Sequence, residues 1–529
     1  MDGSVSFKRR GNDDSKIWNA VRPEDAPASI PRREARVGSA VGGANKLAQA
    51  VSGIRWRHLG VLLVIWLVTI HYLERTVVNR AISKCSWKKW ERWESSKSRG
   101  DHATGPIDPY RVAIVGDPQI VDEYSYKTRP KPLLRLTQTL SDNYLHRNYM
   151  AVHRKLSPHS VMFLGDLFDG GREWDDDVWL REYLRFASVF PPLEHTKSIF
   201  SIPGNHDIGF GNDVNATRLK RFRTMFGEAN EYQILGNHTF VLIDSISLSA
   251  TDLPEVNTEP TIFLESLVND KKMKEYPRIL LSHVPLYRFT DRQHCGPLRE
   301  SKKRFPVMKG KQYQTVLEYE LSQRLLEIVR PKLIFSGDDH DYCHVRHPFD
   351  QAYGEGSISG GGAGNSYADE ITIKTFAMTG GIKYPAIQLL SLWNPRDGSE
   401  PDTDIQETGE VVVTDSTFRT RLCYMPDPYH ALRIYAALMV FSISSLFLVC
   451  VTPRLCRKIH VLLFKDAARR SSILPTIAES DAWAVKPTRP ATWKDCKIPE
   501  RPNAGVFFLC LLLLFTEVWI VFWVYFSRA

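Results

Sequence analysis

Tyr110-Arg-Val-Ala-Ile-Val-Gly-Asp117 is an apolar run of strand length that ends at once on a glycine and a carboxylate. A short continuous run of aliphatic residues, bounded by turn residues, fits a strand buried on both faces. The same pattern recurs down the chain. Residues 134–155 carry helical periodicity, and Ser160-Val-Met-Phe-Leu164 is a second strand that runs into Gly165-Asp166. Residues 179–190 read as a helix, and Ser198-Ile-Phe-Ser-Ile202 as a strand that runs into Pro203-Gly-Asn-His-Asp207. Residues 240–245, 278–282 and 332–336 read as further strands, the last two leading into His283 and into Gly337-Asp-Asp-His-Asp341. Buried strands alternating with helices predict an α/β fold, and polar residues at the carboxyl ends of successive strands mark its ligand crevice.

Taken singly these motifs say little, since a Gly-Asp pair is usually a turn and one His after a strand is usually a hydrogen-bonded structural histidine. Together they gather Asp117, Asp166, Asp169, Asn205, His206, Asp207, His283, Asp338 and His340 at strand ends. Such a concentration of carboxylates and imidazoles is costly to bury without cations to neutralise it. Two divalent ions roughly 3.5 to 4 Å apart can share a carboxylate and clamp the oxygens of a phosphate ester. The excess of Asp and Asn donors over imidazoles leans toward manganese.

The ordered set Asp117, Gly165-Asp166-x-x-Asp169, Gly204-Asn-His-Asp207, His283 and Gly337-x-x-His340 resembles the calcineurin-like metallophosphoesterase superfamily. Three longer strings, Asp117-Pro-Gln119, Phe163-Leu-Gly-Asp-Leu-Phe-Asp-Gly-Gly171 and Pro203-Gly-Asn-His-Asp-Ile-Gly209, are similar to a narrower group. This is the eukaryotic endomembrane branch that removes ethanolamine phosphate from a mannose of glycosylphosphatidylinositol (GPI) anchors. The resemblance implies a four-layer sandwich, two mixed β-sheets flanked by helices, and two divalent metal ions. It implies that Asp117 and His340 hold one metal, that Asp166 bridges, and that Asn205 with His283 hold the other. His206 would then be the general acid or transition-state stabiliser, oriented by Asp207, and the reaction an attack by a metal-bridging hydroxide. Two positions depart from the superfamily pattern: Gln119 replaces a histidine in the first motif, and Asp338 replaces one in the last. Asp338 can ligate through oxygen, whereas Gln119 is a poorer ligand, so the first metal is expected to have fewer protein donors.

Three apolar runs, residues 56–73, 429–451 and 505–526, are expected to cross a membrane, because a bilayer core takes about 20 apolar residues per helix. Basic residues before the first run (Arg32, Arg33, Arg36, Lys46, Arg55 and Arg57) and after the second (Arg454, Arg457, Lys458, Lys465, Arg469 and Arg470) assign those flanks to the cytosol. Residues 74–428 are then lumenal, where the sequons at Asn215 and Asn237 could accept glycans. The expected localisation is an endoplasmic reticulum or Golgi membrane. The net charge of +9 and pI near 9.0 come from Lys and Arg beside apolar segments rather than from one basic stripe, so a nucleic-acid partner is not expected. Lumenal Cys85, Cys295, Cys343 and Cys423 allow three disulfide pairings.

The resulting plan has a disordered tail at 1–55, the first span, and a juxtamembrane linker at 74–109 with a Trp-, Lys- and Arg-rich helix near the headgroups. A metallophosphoesterase domain at 110–395 follows, with a Gly- and Ser-rich loop at 353–369. A second linker at 396–428, the second span, a cytosolic loop at 452–504 and the third span complete it. The reading that follows is a phosphodiesterase acting on the ethanolamine phosphate of GPI anchors, with GPI lipid or GPI-anchored proteins and the membrane as partners. Two others stay open: a two-metal phosphatase for a phosphoprotein, nucleotide or lipid phosphate, and a non-catalytic receptor for GPI-anchored cargo.

Overall fold

The computed structural model describes residues 53–91, 93, 108–310, 314–349, 366–394, 413–456, 458–459 and 502–527. The expected tail before residue 53, the Gly- and Ser-rich loop up to residue 365, residues 395–412 and most of the 452–504 loop lie outside them. The chain divides into two units, Met1–Ile54 and Arg55–Ala529, and everything below concerns the second.

The strands form two six-stranded mixed sheets. In the first, β1 (Tyr110–Val115), β2 (Ser160–Phe163) and β3 (Lys197–Ile199) run parallel. In the second, β4 (Glu231–Leu235) pairs antiparallel with β5 (His238–Ile243), which begins a parallel run through β6 (Arg278–Ser282) and β7 (Leu333–Ser336). β8 (Cys343–Phe349) edges this sheet beside β9 (Ser366–Thr372), which lies parallel to β7. The first sheet is completed by β10 (Ala386–Leu392), antiparallel to β1, then β11 (Val413–Thr414) and β12 (Phe418–Tyr424). The two outer strands correct the expected linker at 396–428. β12 pairs along its whole length with β10, so the domain continues to Tyr424.

Side-chain alternation builds the layers. Val112, Ile114, Met162 and Leu164 of the first sheet share one core with Phe240, Leu242, Ile279, Leu281, Leu333 and Phe335 of the second. Their sequence neighbours Ala113, Val115, Val161 and Phe163 point the other way, onto Tyr149 and Val152 of helix Lys131–Leu156 and Phe186 and Val189 of helix Asp176–Val189. On the far side Val241, Ile243, Leu280 and Ile334 pack with Leu264, Leu325, Leu326 and Val329, from helices Pro254–Ser266 and Tyr319–Val329. Helix, sheet, sheet and helix therefore stack as four layers, and the continuous apolar runs of the sequence follow from burial on both strand faces.

Three helices are long and apolar enough to cross a membrane: Trp56–Lys84, Pro428–Cys450 and Ala504–Phe526. They pack on one another through Trp66, whose Nε1 donates to Ser442 Oγ at 3.2 Å, and through His71 Nδ1 and Tyr525 Oη at 3.2 Å. The first runs 29 residues, well past the expected end at 73. At 1.5 Å per residue it is about 44 Å long, against about 30 Å of hydrocarbon, so in a membrane its last turns would stand clear of the apolar layer. Those turns dock on the domain. Glu74 is buried, forms an ion pair with Arg147, and accepts from Asn143 Nδ2 at 3.1 Å and Tyr435 Oη at 2.6 Å.

Residues 85–91 are not the expected helix near the headgroups but part of the domain. Cys85 bonds Cys423 of β12, Trp87 and Trp90 are buried, Trp87 Nε1 donates to Leu156 O at 2.6 Å, and Glu91 takes the Arg111 guanidinium. The second disulfide, Cys295–Cys343, pins a surface loop to the start of β8.

Because Glu74 meets both helix Lys131–Leu156 and the second apolar helix, Arg147→Met leaves a buried carboxylate without its counter-charge. We expect a loss of ~3–5 kcal/mol, seen as a lower thermal midpoint of the full chain in detergent, and recovery of most of it in Glu74→Gln/Arg147→Met.

Candidate metal centre

Five strand ends deliver the site. Asp117 follows β1, Asp166 follows β2, the turn Asn205–Ile208 follows β3, His283 follows β6, and Asp338 with His340 follow β7. The backbone bends sharply to aim these side chains inward. Asp117, Gln119, Asp166, Asp338 and His340 hold left-handed φ values of 43, 32, 48, 67 and 66°, a cluster of conformations that non-glycine residues adopt only where the surroundings enforce them. Gly204 lets the third loop close on the second, because a Cβ there would lie 2.1 Å from Asp166 Oδ1 and 2.3 Å from its amide nitrogen.

Hydrogen bonds outside the cluster settle which atoms face it. His283 Nδ1 lies 2.7 Å from Leu164 O and so carries the proton, leaving Nε2 with its lone pair toward Asn205 Oδ1 (3.3 Å), Asp166 Oδ1 (3.5 Å) and Asp338 Oδ1 (3.7 Å). His340 Nδ1 is likewise held by Gly380 O at 3.2 Å. Ligand atoms of Asp117, Asp166 and His340 lie within 4.8 Å of one another. The cluster thus has two lobes that share Asp166: Asp117 with His340 on one side, and Asn205, His283 and Asp338 on the other.

The electrostatics call for cations. Burial, and then the charges of Asp166 and a neighbouring carboxylate, push Asp117 and Asp338 well above the usual carboxylate range. Burial also works to raise Asp166, but the imidazoles of His283 and His206 and the His206 N–H outweigh it and hold it low. Burial lowers His283 and His340, keeping both imidazoles neutral and able to ligate. Asp117 Oδ2 is buried with no hydrogen-bond partner. An orphaned carboxylate oxygen beside two neutral imidazoles and two further carboxylates fits a pair of divalent ions.

Two residues, Asp207 and Gln119, sit differently from expectation. Asp207 does not orient His206. Its carboxylate accepts the N–H groups of Gly204 (2.9 Å), Phe168 (3.0 Å) and Leu167 (3.2 Å), stapling the second loop to the third. The residue that meets the His206 ring is Asp169, through its carbonyl at 2.6 Å and its carboxylate at 3.3 Å from Nδ1. Gln119 faces the carboxylate of Asp166, donating from Nε2 to Oδ2 at 3.0 Å, and so steadies a ligand where the superfamily has a ligand. Asp338 lies in the lobe of His283 and Asn205. Thr375 Oγ1, which donates to Asp117 O at 2.7 Å, and Arg172, which donates to Asn205 O at 3.1 Å, brace the site and carry no sequence signal of their own.

A bridged two-lobed carboxylate and imidazole centre, set where the carboxyl ends of two sheets meet, is that of a metal-dependent hydrolase of phosphate esters. Sequence comparison agrees. Residues 110–342 match the calcineurin-like phosphoesterase family. The chain is 44% identical over 403 residues to Cell division control protein 1 of Saccharomyces cerevisiae, covering 76% of each chain. It is 25% identical over 419 residues to Metallophosphoesterase 1 of Xenopus laevis, covering 74% of this chain and 89% of that one. The chain belongs to the calcineurin-like metallophosphoesterase family and is a phosphoric ester hydrolase.

Two outcomes follow from this geometry. Gly204→Ala forces its Cβ onto Asp166 and is expected to abolish stoichiometric metal uptake, read by elemental analysis of the purified chain. In metal-free protein Asp207, raised to about 7 by burial and then by Asp166, stands with Asp117 and Asp338 among carboxylates that hold protons more tightly folded than unfolded. These carboxylates therefore contribute stability that falls as pH rises from about 4 through 7, while His283 and His340, lowered by burial, contribute in the opposite sense. In chelator the thermal midpoint of the wild type should therefore fall relative to that of Asp207→Asn across that window, and added manganese should flatten this relative decline.

Proposed function

We propose that this chain is a phosphodiesterase that removes ethanolamine phosphate from a mannose of GPI anchors, at the lumenal face of an endoplasmic reticulum or Golgi membrane. The observation that carries a membrane-bound substrate is the rigid mounting of the catalytic domain. The Glu74 cluster and the Cys85–Cys423 bridge fasten it to the first and second apolar helices, so the crevice is held at a fixed station over the bilayer. The strings around Asp117, Asp166 and Asn205 that resemble the GPI-remodelling branch supply the chemical identity of the ester, and GPI lipid or GPI-anchored proteins are the corresponding partners. Supporting remodelling in this way would also serve the export of GPI-anchored proteins.

Asp117, Asp166 and His340 would hold one divalent ion, and Asp166, Asn205, His283 and Asp338 the other, with manganese the best match to this oxygen-rich set. Bound there, the ions supply charge neutralisation at the phosphate and activation of water. The residues of the chain do the rest. Asp169 holds His206 Nδ1 through its carbonyl at 2.6 Å and its carboxylate at 3.3 Å, so a protonated His206 would give its Nε2 proton to the departing sugar oxygen. Asp207 and Gln119 hold the loop and the carboxylate that this geometry depends on.

The test is release of ethanolamine phosphate from a GPI glycan by the full chain with manganese, followed by mass spectrometry. Asp166→Asn is expected to abolish it, and His206→Ala to lower kcat by roughly 10²–10⁴-fold. Turnover of simple phosphate esters with none on the GPI glycan would assign the centre to another phosphate ester. For the orientation, exposed Asn215 should carry the glycan, since Asn237 Nδ2 already donates to Asn394 O at 2.7 Å. Glycosidase treatment should shift the wild-type chain on a gel and leave Asn215→Gln unshifted.

A further inference from the structure

A cavity of about 1110 Å³ lies where the first apolar helix ends and the second begins, outside the metal centre. Its walls are the end of helix Trp56–Lys84 and the residues just after it, the loop 295–300, and the stretch from Arg421 to Asp427, which caps helix Pro428–Cys450. In a membrane the last turns of the first helix would already stand clear of the hydrocarbon and the second helix would enter it just below, so the cavity would lie at the level of the lipid headgroups. Its size suits a multi-unit ligand rather than a single small ion.

The charge of the lining is one-sided. Glu300 is already used by Lys374 Nζ at 2.8 Å and by the N–H groups of Lys383 and Tyr384. Asp427 is used by the first N–H groups of the second apolar helix and by Arg433. Arg299 is matched by Asp339 and His344 by Asp369. Lys84 and Lys89 are exposed and have no carboxylate partner among the described residues. Lysines on the catalytic side of a span run against the usual placing of positive charge on the cytosolic side, so they call for a local reason. Beside them Tyr384 and Tyr424 stand 40% and 39% exposed, with ring centroids 6.4 Å apart. Cations suit a phosphate, and exposed aromatic faces suit the apolar face of a sugar ring.

We infer that this cavity binds the phosphate-and-sugar headgroup of a membrane lipid, with Lys84 and Lys89 on the phosphate and Tyr384 and Tyr424 against the sugar. The inference deepens the membrane-bound reading above and rests on it. The cavity also adjoins the metal centre through one loop. Arg299 and Tyr342 line it, while Arg299 grips Asp339, which sits between Asp338 and His340. A glycolipid seated by its headgroup here would present the ester it carries to the other face of that loop, so the cavity acts as an anchoring subsite.

The experiment uses the full chain in neutral detergent mixed with phosphatidylinositol or phosphatidylcholine, with retained lipid counted by native mass spectrometry. Wild type should retain phosphatidylinositol in preference to phosphatidylcholine. Lys84→Glu/Lys89→Glu should lose that retention by about ten-fold or more, the scale of about 1.4 kcal/mol, and Lys84→Arg/Lys89→Arg should keep it. Turnover of soluble bis(p-nitrophenyl) phosphate with manganese should be the same in all three, showing that the variants fold. Equal retention by the charge-reversed chain overturns the inference. So does binding of soluble inositol phosphate as tight as that of phosphatidylinositol, which would make the site a reader of free anions. Failure of the GPI reaction with selective retention intact would strike the proposed substrate and leave this site standing.

Discussion

Asp166 is the residue on which the rest of the molecule turns. Its carboxylate is shared by both lobes of the centre, accepts the His206 N–H at 2.8 Å and the Gln119 amide at 3.0 Å, and lies 3.5 Å from His283. It is also nearly fully buried, next to two more carboxylates. A buried group of like charges is stable only if the chain is forced into the arrangement and the charge is then neutralised. The first requirement explains the left-handed turns, the absence of a side chain at position 204 and the two stacked sheets whose strand ends point to one place. The second explains why the same residues make a site for divalent ions.

The outer layer of that arrangement is built from backbone. Carbonyls of Leu164, Gly380 and Asp169 each take an imidazole Nδ1, so three histidines are set in one tautomer by groups that every residue type possesses. Asp207 works in the opposite sense, a side chain spent on three backbone N–H groups. Its burial raises it, yet those three donors favour the charged form. Bringing the second and third loops together by a carboxylate clasp places Asn205 and His206 over Asp166 without demanding any contact between Asp207 and the imidazole.

This division marks how far the sequence could be read. Strand-end side chains were legible, because a buried strand betrays itself as an apolar run and its terminal Asp, Asn or His is conspicuous. β1, β2, β3, β6 and β7 are legible on that ground, and so are the donors that follow them, while β5 is legible from its apolar run alone. The edge strands were not. β12 alternates buried and half-buried residues along Phe418-Arg-Thr-Arg-Leu, and its polar positions read as linker until its partner β10 is known. The role of Asp169 was hidden for a different reason: Asp169 and Asp207 are both one or a few residues from a catalytic-type motif, and only the direction of each side chain tells the orienting group from the clasp. Disulfide pairing was equally closed to sequence, since Cys85 and Cys423 are 338 residues apart.

The length of the first apolar helix bears on how the centre would stand over a bilayer. A run of 29 residues is about 44 Å long, so in a membrane roughly a third of it would lie beyond a hydrocarbon layer of about 30 Å. A free helical stub of that length would be a flexible stalk, with the domain able to tilt at any angle. Here the stub is gripped at both ends of its exposed part, by Arg147 and Tyr435 at Glu74 and by Cys423 at Cys85. Two attachments about eleven residues apart remove rotation as well as translation, and one of them involves the second apolar helix. The orientation of the domain relative to the apolar helices is thereby set by covalent and ionic contacts within the chain, which is the condition under which an enzyme and an ester confined to one interface would meet repeatedly in one pose.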